Sequence, residues 1–249
     1  MKAMIFAAGL GTRLKPITDT MPKALVPVCG RPLLFHVITK LVAAGYDDII
    51  VNVHHFPDQI IDYLCVNDFG AHITISDERE LLRETGGGIK HVRPLLRNDG
   101  SEPFLVHNVD IVSNLDLKWL REQHRPEALA TVVVSERKTQ RYLLFDDEGR
   151  LKGWTNVATG EVRSPFGDID PTKLRRLAFA GIHLISPAIF DAFDRYGFGD
   201  RFSIMDFYLK ACADYPVYAA VPPDFRMVDV GKKETLSEAE RVCETILQQ

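Results

Sequence analysis

The stretch MIFAAGLGTRLKP, from Met4 to Pro16, begins as a short apolar run and changes abruptly into a turn. The run Met4–Ala8 is predicted to be a buried strand, because it is continuous, apolar and bounded by glycine. Two glycines, a threonine and an arginine then follow within five residues, Gly9–Arg13. This strand and turn open a chain in which strands and helices alternate.

Hydrophobic periodicity and turn residues predict the further elements. Strands are predicted at Asp48–Val53, His72–Ser76, Pro103–Asp110, Leu129–Ser135, Leu177–Ser186 and, briefly, 226–231. Helices are predicted at Pro32–Ala44, Asp58–Leu64, 115–124, Pro187–Tyr196, Ile204–Tyr215 and Lys233–Leu247, with another beginning after the three glycines at 86–88. A hairpin is predicted to turn at Asp147–Gly149.

This alternation predicts an α/β fold with a mostly parallel sheet that is covered on both faces. The hairpin and the late strands add an antiparallel edge, so the sheet is mixed. Ligands of such open sheets lie at the carboxyl ends of the strands. The sequence therefore predicts ligand binding at three places: the turn after Ala8, the end of the Pro103–Asp110 strand and the glycine-rich segment at 84–88.

Length and composition limit the possible classes of protein. The chain has 249 residues, 46% of them hydrophobic, and a net charge of −4, which suits a single domain over residues 1–249 and argues against nucleic acid as a partner. No apolar run reaches the roughly 20 residues of a membrane helix. The start lacks a cleavable signal, and the four cysteines lack metal-ligand spacing. We expect a cytoplasmic protein with buried, reduced thiols, and no membrane partner.

The turn after the first strand has the residue types that bind a polyphosphate. Gly9 and Gly11 allow backbone N–H groups to approach an anion closely, Thr12 offers a hydroxyl, and Arg13 offers a planar fork of donors. Lys23 would bring a second cation. The spacing is neither that of the dinucleotide-binding fingerprint nor that of the P-loop. On these residues alone, an ordinary turn and a phosphate site are equally compatible with the sequence.

Two aspartates end predicted strands: Asp110 ends a central strand and Asp229 a short late one. Mg²⁺ takes oxygen ligands, commonly one or two carboxylates together with phosphate oxygens and water. Two aspartates at one rim of the sheet would supply such a site. The alternative is that each aspartate caps a turn, as aspartates after strands often do.

The longer stretch GLGTRLKPITDTMPKALVPVCGRPLL resembles the G-x-G-T-R-(x)n-P-K signature of the sugar-1-phosphate nucleotidyltransferases, which begins here at Gly9 and reaches Lys23. The similarity extends through LVHNVD (105–110) and RMVDVG (226–231). ETGGGI (84–89) is similar to the branch that transfers uridylyl groups to N-acetylmuramate-1-phosphate. The resemblance implies a three-layer, Rossmann-like sandwich and Mg²⁺-dependent transfer of a nucleotidyl group from a nucleoside triphosphate to a sugar-1-phosphate.

The resemblance also implies roles for individual residues. It implies a catalytic set of Arg13, Lys23, Asp110 and Asp229, of which the two aspartates hold the metal. It implies that the nucleotide lies against Ala8, Gly9, Gly11, Thr12, Arg13, Lys23, Thr85, Gly86 and Gly87, and that the sugar lies near Asn108 and Gly181.

The chain departs from the family pattern at two places. Val109 stands where the family has glycine before the aspartate, and the Glu-Lys-Pro motif of related hexose-1-phosphate enzymes is missing, with Lys152 and Arg163 as candidate substitutes. The acceptor therefore stays open. UTP with N-acetylmuramate-1-phosphate is the first hypothesis. The alternatives are a cytidylyl- or guanylyltransferase acting on phosphocholine, an alditol phosphate or mannose-1-phosphate, and a non-catalytic sensor of nucleotide sugars.

Overall fold

The computed structural model describes residues 1–97 and 102–247. The chain divides into two units, each assembled from separate segments. The first unit comprises Met1–Leu82, Leu105–Leu117 and Asp224–Gln249, and the second comprises Arg83–Phe104 and Lys118–Pro223. A single domain over residues 1–249 stays a prediction.

Strands and helices alternate along the described residues. The strands are β1 (Lys2–Phe6), β2 (Pro27–Val28), β3 (Arg31–Pro32), β4 (Asp48–Val53), β5 (His72–Asp77), β6 (Phe104–Asn108), β7 (Ile111–Ser113), β8 (Ala130–Ser135), β9 (Arg141–Phe145), β10 (Leu151–Asn156), β11 (Glu161–Arg163), β12 (Arg175–Ile185), β13 (Val217–Ala220) and β14 (Met227–Asp229). The helices are α1 (Leu33–Ala43), α2 (Pro57–Val66), α3 (Glu84–His91), α4 (Arg93–Leu96), α5 (Leu117–Glu122), α6 (Ile189–Arg195), α7 (Ile204–Ala211) and α8 (Lys233–Leu247).

The first unit is built on parallel strands in the order β6-β1-β4-β5. Ile5 of β1 pairs with Val51 on one side and with His107 on the other. The central residues of β1 are fully buried, as expected of a parallel strand that is covered on both faces. Helix α1 buries the stripe that its sequence predicts, which comprises Leu33, Leu34, Val37, Ile38 and Leu41.

Two small antiparallel pairs complete this unit, β2 with β3 and β7 with β14. In the second pair Asp229 lies opposite Ile111. Helix α8 contacts both β7 and β14. The strands β7 and β14 therefore join the middle of the chain to its C-terminal segment.

The second unit has a mixed arrangement of strands. β11, β10, β9 and β12 pair antiparallel in that order, while β8 pairs antiparallel with β12 and parallel with β13. The β9–β10 hairpin turns at the predicted place, where Gly149 has a φ of 77° and donates its N–H to the carbonyl of Asp146. The two units together confirm the predicted α/β class and the mixed sheet.

Several sequence expectations need correction. The three glycines at 86–88 lie inside α3 rather than before a helix, and the helix predicted over Ile204–Tyr215 ends at Ala211. The strands β2, β3, β7, β11 and β13 were not predicted. The cysteines are free, but only Cys212 and Cys243 are buried, whereas Cys65 is exposed and Cys29 is partly exposed. Within the described residues, no helix has both the length and the apolar composition to cross a membrane.

Candidate active site

The turn after β1 is fixed by a side chain from the neighbouring strand. Asn52, at the end of β4, accepts hydrogen bonds at Oδ1 from the N–H groups of Ala7 (2.8 Å) and Ala8 (3.3 Å). Its Nδ2 donates to Glu78 Oε1 at 2.9 Å. Asn52 thereby satisfies two buried N–H groups and fixes the point at which the chain leaves the sheet. The N–H of Ala8 is therefore already bonded within the protein.

Gly11 is the residue that makes the turn tight. Its φ is 64°, a left-handed conformation that favours glycine. A Cβ there would lie 2.8 Å from Thr18 Cγ2, and Thr18 Oγ1 donates to the Gly11 carbonyl at 2.8 Å. A Cβ at Gly9, in contrast, would meet no atom within 4 Å. The turn is thus anchored at Gly11, while Gly9, Thr12 and Arg13 are exposed.

Lys23 and Asp110 form an ion pair in the same unit. Lys23 Nζ donates to Asp110 Oδ2, with the two side chains only 10% and 20% exposed. Lys23 begins a short 3-10 turn after Pro22, and Asp110 lies between β6 and β7. The structure thus brings together two of the predicted site residues that are 87 positions apart in the sequence.

The two candidate metal ligands lie near each other at one end of the β7–β14 pair. Asp229 ends β14 opposite Ile111, and the N–H of Val230 donates to the Asp110 carbonyl at 2.9 Å. Paired carboxylates with room for phosphate oxygens suit Mg²⁺. Among residues 1–97 and 102–247 no group of three acidic, histidine or cysteine side chains is placed to hold a metal.

Gly231 leaves space for Arg13 and Asp229. A Cβ on Gly231 would lie 2.8 Å from Arg13 Nη2 and 2.8 Å from Asp229 Oδ1. The guanidinium and the carboxylate therefore both lie close to this glycine. Gly231 is not among the predicted site residues, although it lies two residues after Asp229, in the matched stretch RMVDVG.

The residues around the predicted sugar site lie in different units. Asn108 ends β6 of the first unit and is partly exposed, while Val109 is only 4% exposed and donates its N–H to the Phe6 carbonyl. Gly181, in the second unit, has a φ of 74° at a place where the register of β12 with β8 shifts. Val109 thus packs into the core rather than presenting an open backbone.

The candidate substitutes for the missing lysine both have acidic partners. Lys152 Nζ lies 3.1 Å from Asp146 Oδ2, and Arg163 donates to Asp206 Oδ1 at 2.8 Å. These contacts lie within the second unit. Each side chain is therefore already paired with a carboxylate, and its surroundings do not mark it as a ligand-binding group.

The glycines of α3 pack against the chain before α7. The N–H groups of Gly86 and Gly87 both donate to the Phe202 carbonyl, at 2.9 and 3.2 Å, and Thr85 Oγ1 accepts from Ile204 N–H at 2.9 Å. A Cβ at Gly87 would lie 2.2 Å from the Asp200 carbonyl oxygen. Close packing inside the second unit therefore accounts for these glycines.

Comparisons with known proteins agree with the sequence signature. Residues 2–150 match the family model described as nucleotidyl transferase. The chain is 34% identical to the N-acetylmuramate alpha-1-phosphate uridylyltransferase of Caulobacter vibrioides, over 96% of this chain and 95% of that relative. The chain therefore belongs to the nucleotidyl transferase family, which confirms the family predicted from the opening signature.

Two further comparisons show how broad the similarity is. Mannose-1-phosphate guanylyltransferase 1 of Arabidopsis thaliana is 30% identical over 93% of this chain and 62% of its own length. The crystal structure of HddC from Yersinia pseudotuberculosis, complexed with GMP-PN, superposes with a TM-score of 0.74 and covers 96% of this chain and 98% of that one. At 23% identity the latter likeness concerns the fold alone.

Proposed function

We propose that this chain transfers a nucleoside monophosphate from a nucleoside triphosphate to a sugar-1-phosphate and releases pyrophosphate. The observation that supports this most strongly is the grouping of Arg13, Lys23, Asp110 and Asp229 in one unit, beside an exposed glycine turn. The cations match the charge of a triphosphate, and the carboxylates match a divalent metal.

The reaction needs little proton chemistry from the protein. The acceptor phosphate is already ionised at neutral pH, so its oxygen attacks the α-phosphorus in line while pyrophosphate leaves. Positioning and charge neutralisation supply the acceleration, as in phosphoryl transfer generally. The N–H groups of Gly9 and Gly11, the hydroxyl of Thr12 and the charges of Arg13 and Lys23 would hold the triphosphate and stabilise the departing pyrophosphate.

The two carboxylates fit Mg²⁺ because Asp110 directly precedes β7, Asp229 ends its partner strand β14, and both bring oxygen ligands only. Bound there, the ion would neutralise charge on the α-phosphate side. Asp110 would have to share its carboxylate between the metal and Lys23. The Lys23 ammonium would thereby stay close to the phosphates.

The remaining contacts are proposed on the family resemblance. Asn108 and Gly181 would approach the sugar, the latter because a glycine at a strand irregularity exposes backbone. Thr85, Gly86 and Gly87 would lie against the nucleobase. Since the N–H groups of Gly86 and Gly87 are bonded to Phe202, the base would be recognised through other polar groups of that segment.

UTP is the proposed donor and N-acetylmuramate-1-phosphate the proposed acceptor. The support is the ETGGGI segment and the nearly full-length similarity to the Caulobacter uridylyltransferase. A mismatched buried polar group costs about 1–3 kcal/mol, so preference for UTP over CTP should reach roughly tenfold to a hundredfold. The plant relative makes GTP with mannose-1-phosphate the second candidate pair.

The test is a matrix of initial rates of pyrophosphate release. UTP, dTTP, CTP, GTP and ATP are each combined with N-acetylmuramate-, N-acetylglucosamine-, glucose- and mannose-1-phosphate and with phosphocholine. The Asp110→Asn, Asp229→Asn double variant is the control for contaminating activity. Highest rates with UTP and N-acetylmuramate-1-phosphate are expected. A preference for GTP with mannose-1-phosphate or for CTP with phosphocholine would overturn the substrates, and binding without turnover would indicate a sensor.

A further inference from the structure

The first unit contains a cavity that the proposed reaction does not use. Its volume is about 260 Å³, and its wall includes residues from α1, β6, β7 and α8. A cavity of 150 Å³ is enough for benzene, so this one has space for about ten non-hydrogen atoms. Five polar side chains share the wall with apolar ones, namely His36, Thr39, Lys40, His107 and Ser113. His36 Nε2 lies 2.7 Å from the Val28 carbonyl and Thr39 Oγ1 donates to the Phe35 carbonyl, so both already have partners within the protein.

His107 provides a buried acceptor with no partner. The side chain is 1% exposed, and its Nδ1 lies 2.7 Å from the Asn108 carbonyl. Because a carbonyl oxygen can only accept, Nδ1 carries the proton and Nε2 is left as an unprotonated acceptor. Within the described part of the chain Nε2 has no hydrogen-bond partner. Burial, and after it the charge of Lys40, lowers the pKa of His107 to about 3, so the ring is neutral at pH 7.

Lys40 brings the positive charge of the cavity wall. Its Nζ donates to the Ser113 carbonyl at 2.6 Å, which leaves further donors on the ammonium. Burial lowers the pKa of Lys40 to about 8, while the charge of Asp116 acts in the opposite direction. Burial also raises the pKa of the Cys243 thiol in the same wall to about 12. Lys40 is the one lysine or arginine among the described residues that line the cavity, and its charge matches a monoanion.

Ser113 adds a second polar atom without a partner. Its Oγ is buried and has no hydrogen-bond partner among the residues that the structure describes. A buried polar group that lacks a partner costs free energy, and such groups in native proteins are commonly satisfied by water or a ligand. Val37, Ile111 and Val112 provide apolar wall beside these groups.

We propose that this cavity binds a small α-hydroxy carboxylate with an apolar substituent. Its carboxylate would pair with the Lys40 ammonium, its hydroxyl would donate to His107 Nε2, and its apolar group would pack against Val37, Ile111 and Val112. Ser113 Oγ would donate to the carboxylate. The ligand would contact His107, which precedes Asn108, and Ile111, which follows Asp110. We therefore expect its binding to affect the proposed active site.

Three small molecules of similar shape distinguish the proposed contact of the hydroxyl from that of the carboxylate. Mandelate has the hydroxyl, the carboxylate and an apolar ring, phenylacetate lacks the hydroxyl, and 1-phenyl-1,2-ethanediol lacks the charge. Isothermal titration calorimetry of the full chain at pH 7 is expected to show mandelate binding about tenfold more tightly than either analogue, because each loses one buried polar contact. Similar affinities for all three probes, or no saturable binding of any, would overturn the proposal.

Two further measurements assign the contacts to residues. In the ¹⁵N-histidine spectrum, mandelate should shift the Nε2 resonance of His107, and phenylacetate should leave it nearly unchanged. Lys40→Met should remove the preference for mandelate over the diol, whereas the control Lys2→Met, which removes a lysine of β1 in the same unit, should keep it. An unshifted His107 resonance with saturating mandelate would contradict the proposed site without any variant having to fold.

Discussion

Lys23 and Asp110 form an ion pair in which both side chains are largely removed from water. Lys23 comes from a 3-10 turn near the start of the chain, and Asp110 from the connection between β6 and β7. The same two residues are proposed to hold the triphosphate and the metal. Their contact therefore links the stability of the first unit to the geometry of its candidate active site.

Breaking this pair from one side should destabilise the protein more than removing both charges. Lys23→Met or Asp110→Asn leaves one charge largely buried and unpaired, so each should cost about 2 kcal/mol of unfolding free energy, and the double variant less than the sum. Chemical denaturation of the four proteins measures the coupling. The exposed Lys15–Asp19 pair, treated in the same way with Lys15→Met and Asp19→Asn, should show coupling below about 0.5 kcal/mol. Equal coupling in both cycles would contradict this account.

Asp110 and Asp229 should both be needed for turnover. Alanine at either position should lower kcat by roughly two orders of magnitude, by analogy with the loss of one preorganised charge-stabilising group. Asp110→Ala should also lower stability, because it leaves Lys23 unpaired. Initial rates over a Mg²⁺ titration, with thermal unfolding alongside, check both statements. Near-normal turnover of the two single variants at limiting Mg²⁺ would remove the metal assignment.

Arg13 and Lys23 should act in both directions of the reaction. Each cation is proposed to bind the phosphates that become pyrophosphate, so Arg13→Ala and Lys23→Ala should slow both synthesis and pyrophosphorolysis. The exposed Arg31, outside the proposed site, provides a matched control as Arg31→Ala. If one variant changed only the apparent affinity for the sugar-1-phosphate, that residue would have been assigned to the wrong ligand.

The opening turn could be predicted from the sequence because the residues that define it are close together in the chain. A glycine with positive φ, a hydroxyl and an arginine are required within five residues, and the flanking apolar run predicts the strand. The side chain that fixes this turn could not be predicted from the sequence. Asn52 satisfies the N–H groups of Ala7 and Ala8 from 45 and 44 positions away, and no periodicity reports such a partner.

The same limit explains the errors at α3 and β7. Gly86 and Gly87 were expected to precede a helix, because glycine is a poor helix former. They lie inside one because the chain at Asp200–Phe202 approaches too closely for any side chain. Strand β7 has only three residues and exists through its pairing with β14. That pairing makes Asp110 and Asp229 neighbours, which the sequence predicted only as two aspartates on one rim.

His107 should make the protein sensitive to acid. Its pKa is lowered from 6.5 to about 3 in the folded state, mainly by burial. Below about pH 6.5 the imidazole of His107 therefore binds a proton in the unfolded chain but not in the folded chain. The stability that is present above that pH is therefore lost as the pH falls towards 3. The loss can reach about 5 kcal/mol. Urea unfolding of the wild type and of His107→Gln between pH 7 and about 4 should show the smaller pH slope in the variant. Parallel slopes would contradict the prediction.

Gly231→Ala should impair catalysis with little effect on stability. The added methyl would lie 2.8 Å from both Arg13 Nη2 and Asp229 Oδ1. Both atoms are the ends of flexible side chains, so they can move aside at low cost, and unfolding free energy should change by less than about 1 kcal/mol. Displacing a proposed phosphate ligand and a proposed metal ligand should lower kcat about tenfold to a hundredfold. Gly199→Ala, whose methyl would meet no atom within 4 Å, is the matched control and should keep full activity. Wild-type kcat in Gly231→Ala would show that the close approach of Arg13 and Asp229 to Gly231 is not required for turnover.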